Sequence, residues 1–111
     1  MKEFILLVRL PLEYGADQAS AVRAQWTVVT DQWKSDGLFV TSFVFPGESH
    51  IISNGGNLSK GPATSDNRRL ISCIVLKAAD LKTALALANK CPVLAQEGMI
   101  EVREIMPRVL Q

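Results

Sequence analysis

The 111-residue chain holds one histidine, His50, so any imidazole chemistry rests on that position. A positioned histidine moves protons near neutral pH. Asp66 is its candidate partner, on condition that the polar stretch from Ser53 to Arg69, "SNGGNLSKGPATSDNRR", folds back over a cleft. On the plainer reading, His50 is a solvent-facing residue at the edge of a short strand. The same stretch carries the cations Lys60, Arg68 and Arg69. A guanidinium forms planar, paired hydrogen bonds with a carboxylate or phosphate, which makes these side chains candidates for an anion pocket. Strand alternation sends Arg68 and Arg69 to opposite faces, so one of them faces a cleft. Arg69 is the choice, because it shares the parity of Ile71, Cys73 and Val75. Leu70, Ile74 and Leu76 make the other face equally apolar.

Other chemistries find little support. One histidine, two distant cysteines (Cys73 and Cys91) and scattered carboxylates match no usual metal-ligand spacing. "NGGN" followed by "SKGP" departs from a phosphate-binding loop, because proline and more loop follow where a helix should open. Cys91 falls at the end of a helical segment, where the dipole disfavours a thiolate, and reads as structural. No cofactor is expected. A net charge of +1 with dispersed basic residues argues against nucleic acid and anionic membranes as partners. "MKEFILLVRL" is too short an apolar run for a signal peptide, is broken by Arg9, and falls far below the ~20 residues of a membrane span. A cytoplasmic protein with reduced thiols is the expectation.

The elements that must position these residues follow from periodicity. "KEFILLVR" is a nearly continuous apolar run stopped by Pro11, the pattern of a strand buried on both faces. From Asp17 the period changes: Val22, Trp26, Val29 and Trp33 share one helical stripe, and Gly37 supplies the stop. Trp26 is expected in the core and Trp33, nearer the helix end, at the border of a cleft. "LFVTSFVF" (Leu38 to Phe45) is a strand with Leu38, Val40 and Val44 on one face and Phe39, Phe43 and Phe45 on the other. Apolar residues on both faces need cover on both sides, which implies a partner subunit. "HIIS" is a brief strand, "NGGN" the turn of a tight hairpin at Asn54 to Asn57, and "LSKGPATSDN" a loop that leads along the cleft to Arg69. "RRLISCIVLK" is a central strand. Asp80 caps a helix, "LKTALALANK", that turns Leu81, Ala84, Leu85 and Ala88 inward and ends at Pro92. "IEVREIM" is the last strand. One domain over residues 1–111 results, α+β in class, with the ferredoxin-like split βαβ order and a short extra strand in the middle.

From Arg69 onward the chain resembles the YCII-related proteins, including the branch named for its Asp-Gly-Pro-Phe (DGPF) motif. The residues that carry this are "LISCIVLKAADLKTALALANKCPVLAQEGMIEVREI", with Gly61-Pro62 at the place of the family's Gly-Pro. The resemblance implies a dimeric α/β barrel: two ferredoxin-like units packed sheet to sheet as a homodimer, with clefts between sheet and helices. Members considered enzymes use a His-Asp pair whose histidine lies early in the chain. Here no histidine precedes His50, Lys60 stands in place of the motif's aspartate, and Ala63 in place of its phenylalanine. The leading expectation is a homodimer that binds a small, anionic or cyclic metabolite through Arg69, Lys60 and Trp33. The alternatives are a proton-transfer enzyme using His50 and Asp66 for isomerisation or elimination on a cyclic substrate, and a regulatory or scaffold module.

Overall fold

The computed structural model describes residues 1–108. In chain order the elements are β1 (Lys2–Pro11), α1 (Ala16–Ser35), β2 (Phe39–Val44), β3 (His50–Ser53), β4 (Asn57–Lys60), β5 (Thr64–Ser65), β6 (Arg68–Ala78), α2 (Leu81–Ala88) and β7 (Met99–Ile105). The main sheet runs β2-β6-β1-β7 and is antiparallel throughout, with β5 added to the start of β6. This is the ferredoxin-like α+β order that the split βαβ pattern predicts.

β1 shows why the sheet forms. Phe4, Leu6, Val8 and Leu10 alternate and are at most 1% exposed. Each fully buried side chain of this size contributes ~1.5–3 kcal/mol. They pack with Ile74 and Leu76 of β6, Trp33 of α1 and Val93, or with Ala78 and Ala84 beside α2. The stripe expected on α1 is present: Val22 and Trp33 are buried, and Trp26 and Val29 are partly buried against the same core. Gly37 adopts φ +72, the left-handed conformation that ends the helix, and its N–H donates to Lys34 O at 3.1 Å.

At α2, Asp80 Oδ1 accepts hydrogen bonds from Thr83 N (2.8 Å) and Thr83 Oγ1 (2.7 Å). The Thr83 backbone bond, then its hydroxyl, holds the Asp80 carboxyl below the usual carboxylate range. Only Ala84 and Ala88 of this helix are buried, whereas Leu81 and Leu85 are about half exposed. The expectation that all four turn inward is corrected. An i, i+4 row of alanines brings so short a helix close to the sheet and leaves both leucines on its flank. The helix stops before Pro92, which instead opens a 3-10 turn, Pro92–Gln96.

Two bulges reset the faces of the sheet. Val8 pairs with Ser72 and Arg9 with Leu70, so Ile71 is the extra residue of β6. Phe39 pairs with Leu76 and Thr41 with Val75, so Val40 is the extra residue of β2. Phe39 therefore lies on the helix-covered face with Leu76, and Phe43 on the opposite face with Cys73 and Leu7. The expectation that Phe39 and Phe43 share a face is corrected, because the bulge inverts the alternation between them.

The stretch read as one loop, "LSKGPATSDN", also holds two strands. β4 pairs with β3 through His50↔Lys60, Ile51↔Ser59, Ile52↔Leu58 and Ser53↔Asn57. Gly55 and Gly56 adopt φ +77 and +79 at its tip, the positive values expected of "NGGN". β5 joins β6 through Asp66 and Asn67, both at positive φ (51 and 58). Two consecutive left-handed residues, Asp and Asn among those that tolerate it, make a two-residue type I′ hairpin. The hairpin expected at Asn54 to Asn57 is present; polar composition hides how far its return strand extends and hides the β5–β6 pairing from a hydrophobic-period reading. Among the described residues, no helix is long and apolar enough to cross a membrane.

Candidate functional site

α1 and the β2–β6 side of the sheet separate to leave a cavity of about 910 Å³. Its apolar walls come from Val8 of β1, Trp26 of α1, Phe39 of β2 and Ile71 of β6. Ser42 and Ser72, on the helix-covered face by their pairing with Ile74 and Val8, supply hydroxyls at its floor. Tyr14 and the first turn of α1 close one side.

Arg69 is the one charged side chain among the described lining residues. It reaches the cavity because of the Ile71 bulge, which places it opposite Leu10 on the helix-covered face. Cys73 and Val75, expected on the same face as Arg69, pair with Leu7 and Ile5 on the other face, so the expected shared parity is corrected. Arg69 Nη2 donates to Tyr14 O at 3.3 Å. No carboxylate of the described residues lies within salt-bridge distance of it.

Arg68 is its opposite in every respect. Its Nη1 donates to the Asp66 carboxylate (2.8 Å) and to Asp66 O (2.9 Å), and its Nε to Glu97 O (2.6 Å). Arg68 thus ties the β5–β6 turn to the chain entering β7. Arg69 has its charge left over.

The entrance to α1 is fixed by a small polar network. Gly15 N–H donates to Gln18 Oε1 at 3.0 Å, the half of a capping box that a glycine allows. Tyr14 Oη donates to Gln96 Oε1 (3.1 Å), and Gln96 Nε2 donates to Gln18 O (2.8 Å). Burial pushes the Tyr14 phenol above its ordinary pKa, so it stays protonated at neutral pH. Arg69 therefore sits beside the positive end of the α1 dipole, and the two reinforce each other at one wall of the cavity.

The remaining sequence candidates lie elsewhere. Trp33 is 1% exposed in the core and Trp26 lines the cavity, the reverse of the expected order. Trp33 packs into the core with Leu6, Val8 and Ile74, whereas Trp26 faces the gap between α1 and the β2–β6 side of the sheet. Trp33 Nε1 is buried with no hydrogen-bond partner among the described residues. His50 and Lys60 are brought together as a cross-strand pair at the root of the β3–β4 hairpin, where Lys60 Nζ lies 3.6 Å from Glu48. Asp66 is held by Arg68, and no hydrogen bond joins it to His50. The chain after Ser53 runs back along β3, which keeps His50 and Asp66 on separate hairpins.

Cys91 is buried, which pushes its thiol up to about 12 and keeps it neutral and unreactive. Among the described residues, no three of His, Cys, Asp and Glu converge as metal ligands would. Tyr14 and Trp26, which sequence reasoning did not select, join Arg69 at the cavity. A tyrosine just before a helix and the N-terminal member of a tryptophan pair are the only signals that precede them in the sequence.

A four-stranded antiparallel core in the order β2-β6-β1-β7, two helices and a cleft under the first of them define a ferredoxin-like α+β protein. The model of the YCII-related domain matches residues 1–108, and the chain belongs to that family. The match extends over the N-terminal half as well as the part after Arg69. No curated protein matches the chain.

Proposed function

We propose that the protein is a homodimer whose α1–sheet cavity binds a small molecule with an anionic group and an apolar, ring-sized body. The observation that carries this is Arg69, a cation with no carboxylate within salt-bridge distance among the described residues, in a mostly apolar cavity. Buried charges are ordinarily paired, so an unpaired guanidinium at a half-buried wall suits an incoming anion. The size also fits, since small-molecule sites run to ~300–1,000 Å³ and are mostly apolar with a few polar groups. Trp26 and Phe39 offer ring faces to the body of the ligand, and Tyr14 holds Arg69 in place through its carbonyl.

The geometry favours binding over proton-transfer chemistry. Acid–base work at neutral pH needs a group that titrates there, and His50 and Asp66 are held on two different hairpins away from this wall. Lys60 joins the His50 side rather than Arg69. The face of the sheet away from the helices supports the homodimer: Ile5, Leu7, Thr41, Phe43, Cys73 and Val75 form its centre. Arg9 and Glu101 (2.7 Å), with Arg103 3.8 Å from Glu101, make a charged rim. An apolar centre with a polar rim is the layout of a protein interface. Two buried free cysteines are in keeping with a reducing, cytoplasmic setting, and Gly61-Pro62 with the DGPF branch.

The test is calorimetric titration with 1-naphthoate and with its neutral analogue 1-naphthamide. Tighter binding of the acid, lost in Arg69→Gln, is the expected result. Equal affinity for acid and amide overturns the reading.

A further inference from the structure

Among the described residues, the β3–β4 hairpin packs little against the rest of its chain. Its two strands form a separate sheet, and each makes its close contacts with the other. The Cα radius of gyration is 15.4 Å, against about 13 Å for a compact domain of this length, as a projecting arm requires. Pairing puts His50, Ile52, Leu58 and Lys60 on one face of the arm. Ile52 and Leu58, directly opposite each other, are 75% and 67% exposed. No charged residue occurs from Ile51 to Ser59, and the charges, Glu48 and Lys60, pair with each other at the root.

A lone two-stranded hairpin is marginal in water, and an uncharged exposed edge is a template for pairing. The arm nevertheless has a built root. Gly61 N–H donates to Ser49 O at 2.7 Å, and a Cβ on Gly61 would come 2.5 Å from Ser49 Oγ, so only glycine closes this pinch. β5 then fastens the return leg to Arg68 and Arg69. An arm anchored at both legs, uncharged and apolar on one face, is shaped for a surface outside its own chain.

We infer that the β3–β4 arm packs its Ile52–Leu58 face against a second copy of this chain and is part of the dimer contact. This rests on the homodimer proposed above. The second copy is the occupant because the arm leaves from the end of the edge strand β2, next to Phe43, which is 56% exposed on the open sheet face where the homodimer contact is proposed. A two-fold pairing of that face would repeat the arm contact symmetrically, each arm against the other copy.

Sedimentation and amide hydrogen exchange on the full chain, from high micromolar to low nanomolar concentration, test the inference. Amides of Ile51–Ser59 are expected to be protected in the dimer and to lose that protection on dilution. Ile52→Ser with Leu58→Ser is expected to weaken dimerisation at least tenfold, as is Phe43→Glu on the sheet face. A dimer whose arm amides exchange fast at every concentration, or a double variant that dimerises like the parent while Phe43→Glu does not, overturns the arm and leaves the sheet-face dimer standing. A monomer at every concentration overturns both.

Discussion

Replacing Arg69 by glutamine separates binding from folding. In the free protein, Arg69 makes one long hydrogen bond, 3.3 Å to Tyr14 O, and no salt bridge among the described residues. A hydrogen bond from a charged donor contributes ~1.5–3 kcal/mol net at ordinary length; this one is long and only half-buried, and glutamine retains a donor, so the loss of stability should stay at or below ~1.5 kcal/mol. At ~4–8 °C per kcal/mol for a domain near this size, the melting temperature should drop by about 12 °C at most. A bound carboxylate, by contrast, would lose a charge-assisted bond of ~1.5–3 kcal/mol. That corresponds to ~10- to 150-fold in Kd for 1-naphthoate, with 1-naphthamide changed less than about threefold. Calorimetry gives both affinities and scanning fluorimetry the stability. An unchanged affinity for the acid refutes the reasoning, and so does an equal loss for acid and amide, which would mark Arg69 as a packing residue.

Other perturbations test the packing. Trp33→Ala, at a core position, should cost ~3–5 kcal/mol in urea denaturation; Trp26→Ala, at the cavity wall, should cost less and weaken 1-naphthoate binding. Similar costs for the two would contradict the placement of α1. The Cys91 thiol, pushed up to about 12 by burial, keeps its proton in the folded protein after the unfolded chain has lost it above ~8.5. Its stabilisation is therefore complete below that pH and is lost as pH rises toward the folded value. The loss between pH 8.5 and 10 should be on the order of 1–2 kcal/mol. Cys91→Ala should flatten the slope of stability against pH in this window, and an unaltered slope would show that other groups set it, with Tyr14 next in line.

Much of the fold was legible because it depends on periodicities that no single residue can overturn. The stripe of Val22, Trp26, Val29 and Trp33, the glycine stop at Gly37, the Asp80 cap and the β-α-β-β-α-β order all stand in the sequence as they stand in the structure. Which face each strand residue occupies was not legible. The bulges at Val40 and Ile71 sit inside apolar runs and carry no glycine or proline to mark them, yet each inverts the alternation beyond it. Arg69 reaches the cavity through such a bulge, so its side of the sheet followed from a feature that parity could not supply. The tryptophans show a second limit. Both occupy the same stripe, and which one is covered depends on where α1 diverges from the sheet, a tertiary matter. The hairpin at "NGGN" was legible from its glycines, but the extent of its return strand and the β5–β6 pairing were not: those residues are polar and lack a hydrophobic period, and turn chemistry at Asp66-Asn67 does the second pairing.

The most direct measurement of the proposed site is a titration of 15N-labelled protein with 1-naphthoate, followed by NMR at the side-chain N–H groups of Trp26, Trp33 and Arg69. The expected result is saturable movement of Trp26 Nε1–H and Arg69 Nε–H with one shared midpoint, while Trp33 Nε1–H stays in place. Movement confined to Trp33 or to the β3–β4 arm, with Trp26 and Arg69 silent, would contradict the assignment of the cavity as the anion site.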